Sequence, residues 1–168
     1  KWYYHYQPTD WTIGNYQLGT KEEFKSMCEE ADKYGIKVIV DVVPNHTTKS
    51  TEALGEGLLN AVGGIDNLYH KKGKDEVSNY KDRGECTHQA VGGLFDVNTE
   101  NIAFQNYFIN YMNECIACGA DGFRFDTAKH IGLPDDPVED SSMPNTFWTN
   151  VLSKLDNKDN LFIYGEVL

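Results

Sequence analysis

Three short runs carry the residues with catalytic potential. The first is Gly122-Phe123-Arg124-Phe125-Asp126. Side chains of a strand alternate between faces, so Phe123 and Phe125 are expected on one side and Arg124 and Asp126 on the other. An opposite charge that close lowers a carboxylate pKa and keeps it ionised. Such a carboxylate could serve as a nucleophile or a metal ligand; the alternative is a structural ion pair. The second run, Ile36 to Val43, contains Asp41 and is followed by Asn45 and His46. The third, Leu161 to Gly165, ends in Glu166. Two carboxylates on neighbouring strand ends suit glycoside hydrolysis. One must be ionised to attack or steady an oxocarbenium-like centre, and the other must hold a proton for the leaving oxygen. Glu166 has no cation beside it in sequence, which fits a raised pKa and the acid role.

The elements that must position these residues are legible in part. Thr20 and Glu23 form a capping box ahead of a stripe of Phe24, Met27, Cys28, Ala31 and Tyr34, predicting a helix over 20–34 stopped by Gly35. The β-branched run 36–43 predicts a buried parallel strand, broken by Pro44. A second helix is expected over about 99–118, with Asn98 or Thr99 as cap and Gly119 as stop. Its stripe is Phe104, Tyr107, Phe108, Tyr111, Met112, Cys115 and Cys118. A weaker helix is expected over 145–156 and a last strand over 161–166. Residues 1–19 read as an aromatic loop and 131–143 as an acidic loop. Residues 48–95 lack strong periodicity and are too long for an ordinary loop, so they read as a small inserted subdomain. Helices alternating with buried strands imply a parallel α/β sheet, whose sites form at the C-terminal strand ends.

Net charge is −11 over 168 residues. That argues against nucleic acid or an anionic membrane as partner, and it fits a cation or a neutral substrate. No apolar run is long enough to span a bilayer. Cys28, Cys86, Cys115 and Cys118 read as small apolar core residues, although Cys115 and Cys118 have C-x-x-C spacing. His5, His70 and His88 read as surface or structural, and Trp148 as core. Lys71, Lys72 and Lys74 read as a solvated face.

Asp41-Val-Val-Pro-Asn45-His46, Gly122-Phe-Arg124-Phe-Asp126-Thr-Ala-Lys129-His130 and Gly165-Glu166-Val167 occur in the order of the first three motifs of glycoside hydrolase family 13. The chain resembles that family, most closely its secreted bacterial α-amylases. Trp2 to Pro8 and Gly93 to Asn98 also resemble family segments. The resemblance implies a partial TIM (β/α)8 barrel with a small irregular/β subdomain inserted after the third strand. Barrel parts are expected at 1–47 and 96–168, with a calcium-linked subdomain at 48–95. It implies retaining endo-hydrolysis of α-1,4-glucosidic bonds in an α-glucan, with Asp126 as nucleophile and Glu166 as acid and base. Arg124 is expected to orient Asp126, His46 to bond the sugar, Tyr6 to stack beneath it with Tyr3 nearby, and Lys129 and His130 to meet the leaving-group side. It also implies Ca²⁺ held by the Asn45 side chain, the Asp96 carboxylate and the carbonyls of Thr87 and His130, all oxygen donors. An Asn so engaged is inaccessible, so the sequon at Asn45 is not expected to be glycosylated.

The resemblance leaves other readings open. They are a different family 13 hydrolase or transferase, or a non-catalytic carbohydrate-binding homologue; from the residues alone, a metal-dependent hydrolase using Asp41, His46 and Asp126 also stands, without a convincing ligand spacing. Both chain ends look cut. The family's third catalytic Asp, and any chloride ligands, are expected beyond Leu168, and the segment alone is expected to be inactive. A monomeric, extracellular parent is expected from the family.

Overall fold

A computed structural model describes residues 1–168. Its centre is a three-stranded parallel sheet in the order β1-β4-β5, with β1 at Ile39–Val42, β4 at Gly122–Phe125 and β5 at Phe162–Gly165. Helix α1, Lys21–Lys33, precedes β1, and the expected capping box is present: the Glu23 amide donates to Thr20 Oγ1 and the Thr20 amide to the Glu23 carboxylate. Its predicted stripe is only partly covered. Cys28 is buried, whereas Met27 and Tyr34 are exposed. A sheet of three strands offers α1 too little surface to cover the whole face.

Between β1 and the next long helix, the chain makes a second, two-stranded sheet, in which β2 at His46–Thr47 pairs antiparallel with β3 at Phe95–Asp96. The segment joining them holds three short helices: α2 at Glu56–Val62, α3 at Ile65–Leu68 and α4 at Arg83–His88. Periodicity did not reveal them, because four to seven residues are too few to repeat a stripe. Leu58 and Val62 of α2, one turn apart, and Leu68 of α3 are nonetheless buried. The aromatic loop also contains a short 3₁₀ turn at Trp2–Tyr6.

Helix α5, Ile102–Ala117, carries the core. Its cap is Asn101, whose side chain accepts from the Ala103 amide at 2.9 Å, two or three residues after the expected position. The Thr99 hydroxyl is turned to Glu100 instead. Phe104, Phe108, Met112 and Cys115 are buried, and Phe108 lies against Phe125 of β4 and Phe147 of α6, Phe147–Ser153. All four cysteines are free and buried, as core residues. Gly122 starts β4 where a β-carbon would meet the Phe162 carbonyl oxygen at 2.0 Å, so the close pairing of β4 with β5 requires glycine there.

Candidate active site

Register brings the polar residues together. Asp41 pairs with Arg124 across β1–β4, and Arg124 with Tyr164 across β4–β5. The ladder continues past the strands: the Asp126 amide donates to the Val42 carbonyl at 2.8 Å and the Glu166 amide to the Phe125 carbonyl at 2.9 Å. Asp126 and Glu166 therefore sit at adjacent C-terminal strand ends. Phe123 and Phe125 are fully buried on the other face, as the alternation predicts.

Arg124 is the hub. Its Nη1 donates to Asp41 at 2.6 Å and Asp126 at 3.0 Å, and its Nη2 lies 3.2 Å from Glu166. Burial works against its charge, but the hydrogen bonds to Asp41 and Asp126 outweigh it and raise its pKa further. Glu166 has no cation beside it in sequence, but the fold supplies one: strands distant in sequence share one guanidinium. Thr127 follows Asp126 in the left-handed region, with φ of 54°. That backbone is strained for a β-branched residue. It lets the Thr127 hydroxyl donate to Asp126 and its amide donate to Glu166 at 3.3 Å.

Tyr6 donates its hydroxyl to Asp41 at 2.9 Å, and its carbonyl lies 3.0 Å from His46 Nε2. A carbonyl only accepts, so Nε2 carries the proton. His46 Nδ1 is then bare and faces the Asn45 amide nitrogen at 3.4 Å. Burial lowers the His46 pKa and keeps the ring neutral. Tyr3 is half-buried against Tyr4. Lys129 is half-buried, with its amide 3.3 Å from the Glu166 carbonyl. The His130 ring is buried, and its Nδ1 bonds the Cys86 carbonyl of α4 at 2.8 Å, so the ring turns toward the inserted segment.

A second constellation lies where β2 meets β3. Asn45 and Asp96 are each 1% exposed, and the Asn45 carbonyl accepts from the Val97 amide. Asn45 directs its nitrogen to His46, which leaves its Oδ1 free. Asn45 Oδ1 and Asp96 Oδ1 are both buried without a hydrogen-bond partner. Unpartnered buried oxygens are costly unless a cation meets them. Thr87 is buried near the end of α4, next to Cys86, whose carbonyl bonds the His130 ring. This donor set is all oxygen and fits a calcium-type ion. The buried Asn45 also fits the rejection of the sequon.

Sequence reasoning missed several contacts and residues. Asp41 faces Arg124 only through register. Arg83 of α4 grips Asp136 through Nε at 3.0 Å and Nη2 at 2.6 Å, and gives Nη1 to the Lys129 carbonyl at 2.7 Å. Thr127 carried one signal, a β-branched residue directly after the strand-end Asp126. His70, read as structural, is held by Asp96 and Glu100. An apolar cleft of about 480 Å³ runs beside β5, and another cavity of about 400 Å³ lies over His70 and Glu100. Neither is lined by Asp126 or Glu166, which stand at an open sheet end.

The family model described as "Alpha amylase, catalytic domain" matches residues 3–168. An alpha-amylase of Butyrivibrio fibrisolvens is 54% identical over 99% of this chain, which corresponds to 18% of that protein. One from Clostridium acetobutylicum is 41% identical over 99% of the chain and 22% of its own length. The chain thus spans about a fifth of the curated relatives it matches. Among solved structures, an Anoxybacillus alpha-amylase superposes with a TM-score of 0.76 at 29% identity, covering 99% of this chain and 33% of that one. A Geobacillus thermoleovorans alpha-amylase complexed with acarbose gives 0.75 at 26% identity, covering 98% and 33%. The parallel strands and their helices are an arc of the TIM barrel these amylases share. With matching motifs, matching fold and a family model covering all but two residues, the chain belongs to the alpha-amylase catalytic-domain family.

Proposed function

We propose that the intact protein is an α-amylase: a retaining glycoside hydrolase that cleaves internal α-1,4 bonds of starch and related glucans. The observation carrying this reading is the fork of Arg124, whose two terminal nitrogens hold Asp126 and Glu166 at adjacent strand ends. Carboxylates held that close together suit a nucleophile and an acid acting on one glycosidic bond.

In the first step the Asp126 carboxylate attacks the anomeric carbon while the Glu166 carboxyl protonates the departing oxygen. A covalent glycosyl-enzyme results. Glu166, now ionised, then takes a proton from water, which attacks the same carbon and frees Asp126. Two inversions give net retention. Arg124 and the Thr127 hydroxyl position Asp126 as the nucleophile. Glu166 serves as the acid in the first step. His46, neutral with its Nε2 proton on the Tyr6 carbonyl, and Tyr6 border the sugar. Lys129 and His130 lie toward the leaving glucan, and Tyr3 flanks Tyr6. The inserted segment 48–95 serves as a subdomain tied to the barrel by calcium, held by Asn45, Asp96 and the Thr87 and His130 carbonyls. The ion supplies structural cross-linking. Extracellular action follows from the substrate, a polymer too large to import.

The test uses the intact protein on starch. Asp126→Asn and Glu166→Gln should each lower kcat by about 10³-fold or more, with starch binding retained. Unchanged hydrolysis in Asp126→Asn overturns the reading. Comparing products from starch and pullulan separates α-1,4 cleavage from α-1,6 cleavage or transfer.

A further inference from the structure

Away from the catalytic carboxylates, His70, His88 and Glu100 are 5%, 6% and 4% exposed. Their ligand atoms all lie within 4.8 Å of one another. The three come from separate parts of the chain: the residue after Tyr69, the last turn of α4, and the segment leading into α5.

His70 and Glu100 are anchored on their far sides. His70 Nδ1 bonds Asp96 Oδ2 at 2.6 Å. The Thr99 hydroxyl donates to Glu100 Oε1 at 3.0 Å, leaving Oε2 for His70 Nε2. His88 is buried on the last turn of α4, and its Nε2 has no partner. Metal-binding histidines are held in this way, one ring nitrogen bonded to a carboxylate or carbonyl and the other presented to the ion. A purely structural ion triad of His70 with Asp96 and Glu100 accounts for two carboxylates and one imidazole. It leaves the buried, unpartnered His88 nitrogen without a purpose.

We propose that His70, His88 and Glu100 bind a first-row divalent cation of the zinc class, with a water completing the shell. Two imidazoles and a carboxylate suit zinc, whereas calcium prefers oxygen alone. Without the metal, His70 Nε2 and Glu100 Oε2 bond each other directly. The metal takes up the two ring nitrogens and the carboxylate oxygen in place of that bond. His70 and Glu100 line the cavity of about 400 Å³, whose wall also carries Asp66, Glu139 and Asp140 against Lys71. That acidic wall draws cations in and supplies the water. The inference does not rest on the hydrolysis reading. It meets the calcium reading at Asp96, which His70 orients, so the test keeps calcium saturated.

The intact protein is stripped with chelator, reloaded with excess calcium and titrated with Zn²⁺ by calorimetry, with metal content measured after desalting. One zinc per chain in addition to calcium is expected. His88→Ala and Glu100→Gln should weaken zinc at least about tenfold while calcium uptake persists. No zinc beyond the calcium site, zinc that only displaces calcium, or unchanged affinity in both variants overturns the proposal. Should a variant fail to fold, Co²⁺-loaded wild type decides. Two paramagnetically shifted exchangeable imidazole N–H resonances support two histidine ligands, and none refutes them.

Discussion

At the residue scale, the charge balance of the site turns on Arg124. One cation faces Asp41, Asp126 and Glu166 from three strands. A planar fork can give separate nitrogens to separate carboxylates, whereas an ammonium offers a single point of charge. Arg124→Lys should therefore keep the fold yet lower kcat by about 10²-fold, with a smaller effect on KM. Steady-state kinetics on starch beside a thermal melt check this, and a change confined to KM contradicts it. Asp41 enters the same network and explains why the charged residue inside an otherwise apolar β1 is tolerated: it points to the Arg124 face. Its role was hidden in sequence, where 83 residues separate it from its partner.

At the element scale, the close approach of β4 and β5 places Asp126 beside Glu166, and Gly122 permits it. A methyl there meets the Phe162 carbonyl oxygen at 2.0 Å and Ile39 Cδ1 at 2.9 Å. The Ile39 side chain can turn aside, but the Phe162 carbonyl is sheet backbone and cannot retreat cheaply. Gly122→Ala should destabilise by at least about 1–3 kcal/mol, the usual cost of overpacking, read as a drop in denaturation midpoint. If the variant is as stable as the parent, the pairing is looser than described. Helices α1 and α5 illustrate two degrees of legibility. The capping box of α1 is local, so it was readable to the residue. The cap of α5 was displaced to Asn101, because Asn98, Thr99 and Asn101 are equivalent by type and only the surrounding bonds choose among them. The Asn98 amide bonds the Leu68 carbonyl, and Thr99 bonds Glu100.

At the scale of the whole molecule, contacts between the inserted segment and the strand ends decide how the site holds together. Arg83 lies in α4 and Asp136 in the loop after β4, and Arg83 also holds the Lys129 carbonyl. The hydrogen bond from Arg83 lowers the Asp136 pKa from its ordinary value, against the opposing effect of burial. A carboxyl with a depressed folded pKa adds stability above its unfolded value and loses it as pH falls through the folded one. Asp136→Asn should thus be less stable than the parent at about pH 7 and nearly equal to it at about pH 2, by urea denaturation. A constant difference at both pH values would show that the effect is not ionic. Calcium belongs at this scale as well. If Asn45 and Asp96 hold it as proposed, free calcium at a hundred times its Kd should add about 2.7 kcal/mol, and chelation should lower Tm accordingly. Asn45→Ala should abolish that response, and an unaltered response would move the ion elsewhere.

Sequence alone determined the strand faces, the capping box, the core stripe of α5 and the candidate carboxylates. These follow from periodicity and residue type, properties of neighbours within about one turn or one strand. It also carried three motifs whose order marked the family. Tertiary structure decided which charges meet. Glu166 had no cation in its own run and gained Arg124 through the β4–β5 register. Asn45 and Asp96 turned unpartnered oxygens inward because β2 pairs with β3, and His46 selected the rotamer of Asn45. His70, His88 and Glu100 were unremarkable singly, because a ligand set assembled from distant segments has no spacing to read. Electrostatic partnership acts through space over a few ångströms, and only the folded chain brings residues from separate segments to that distance.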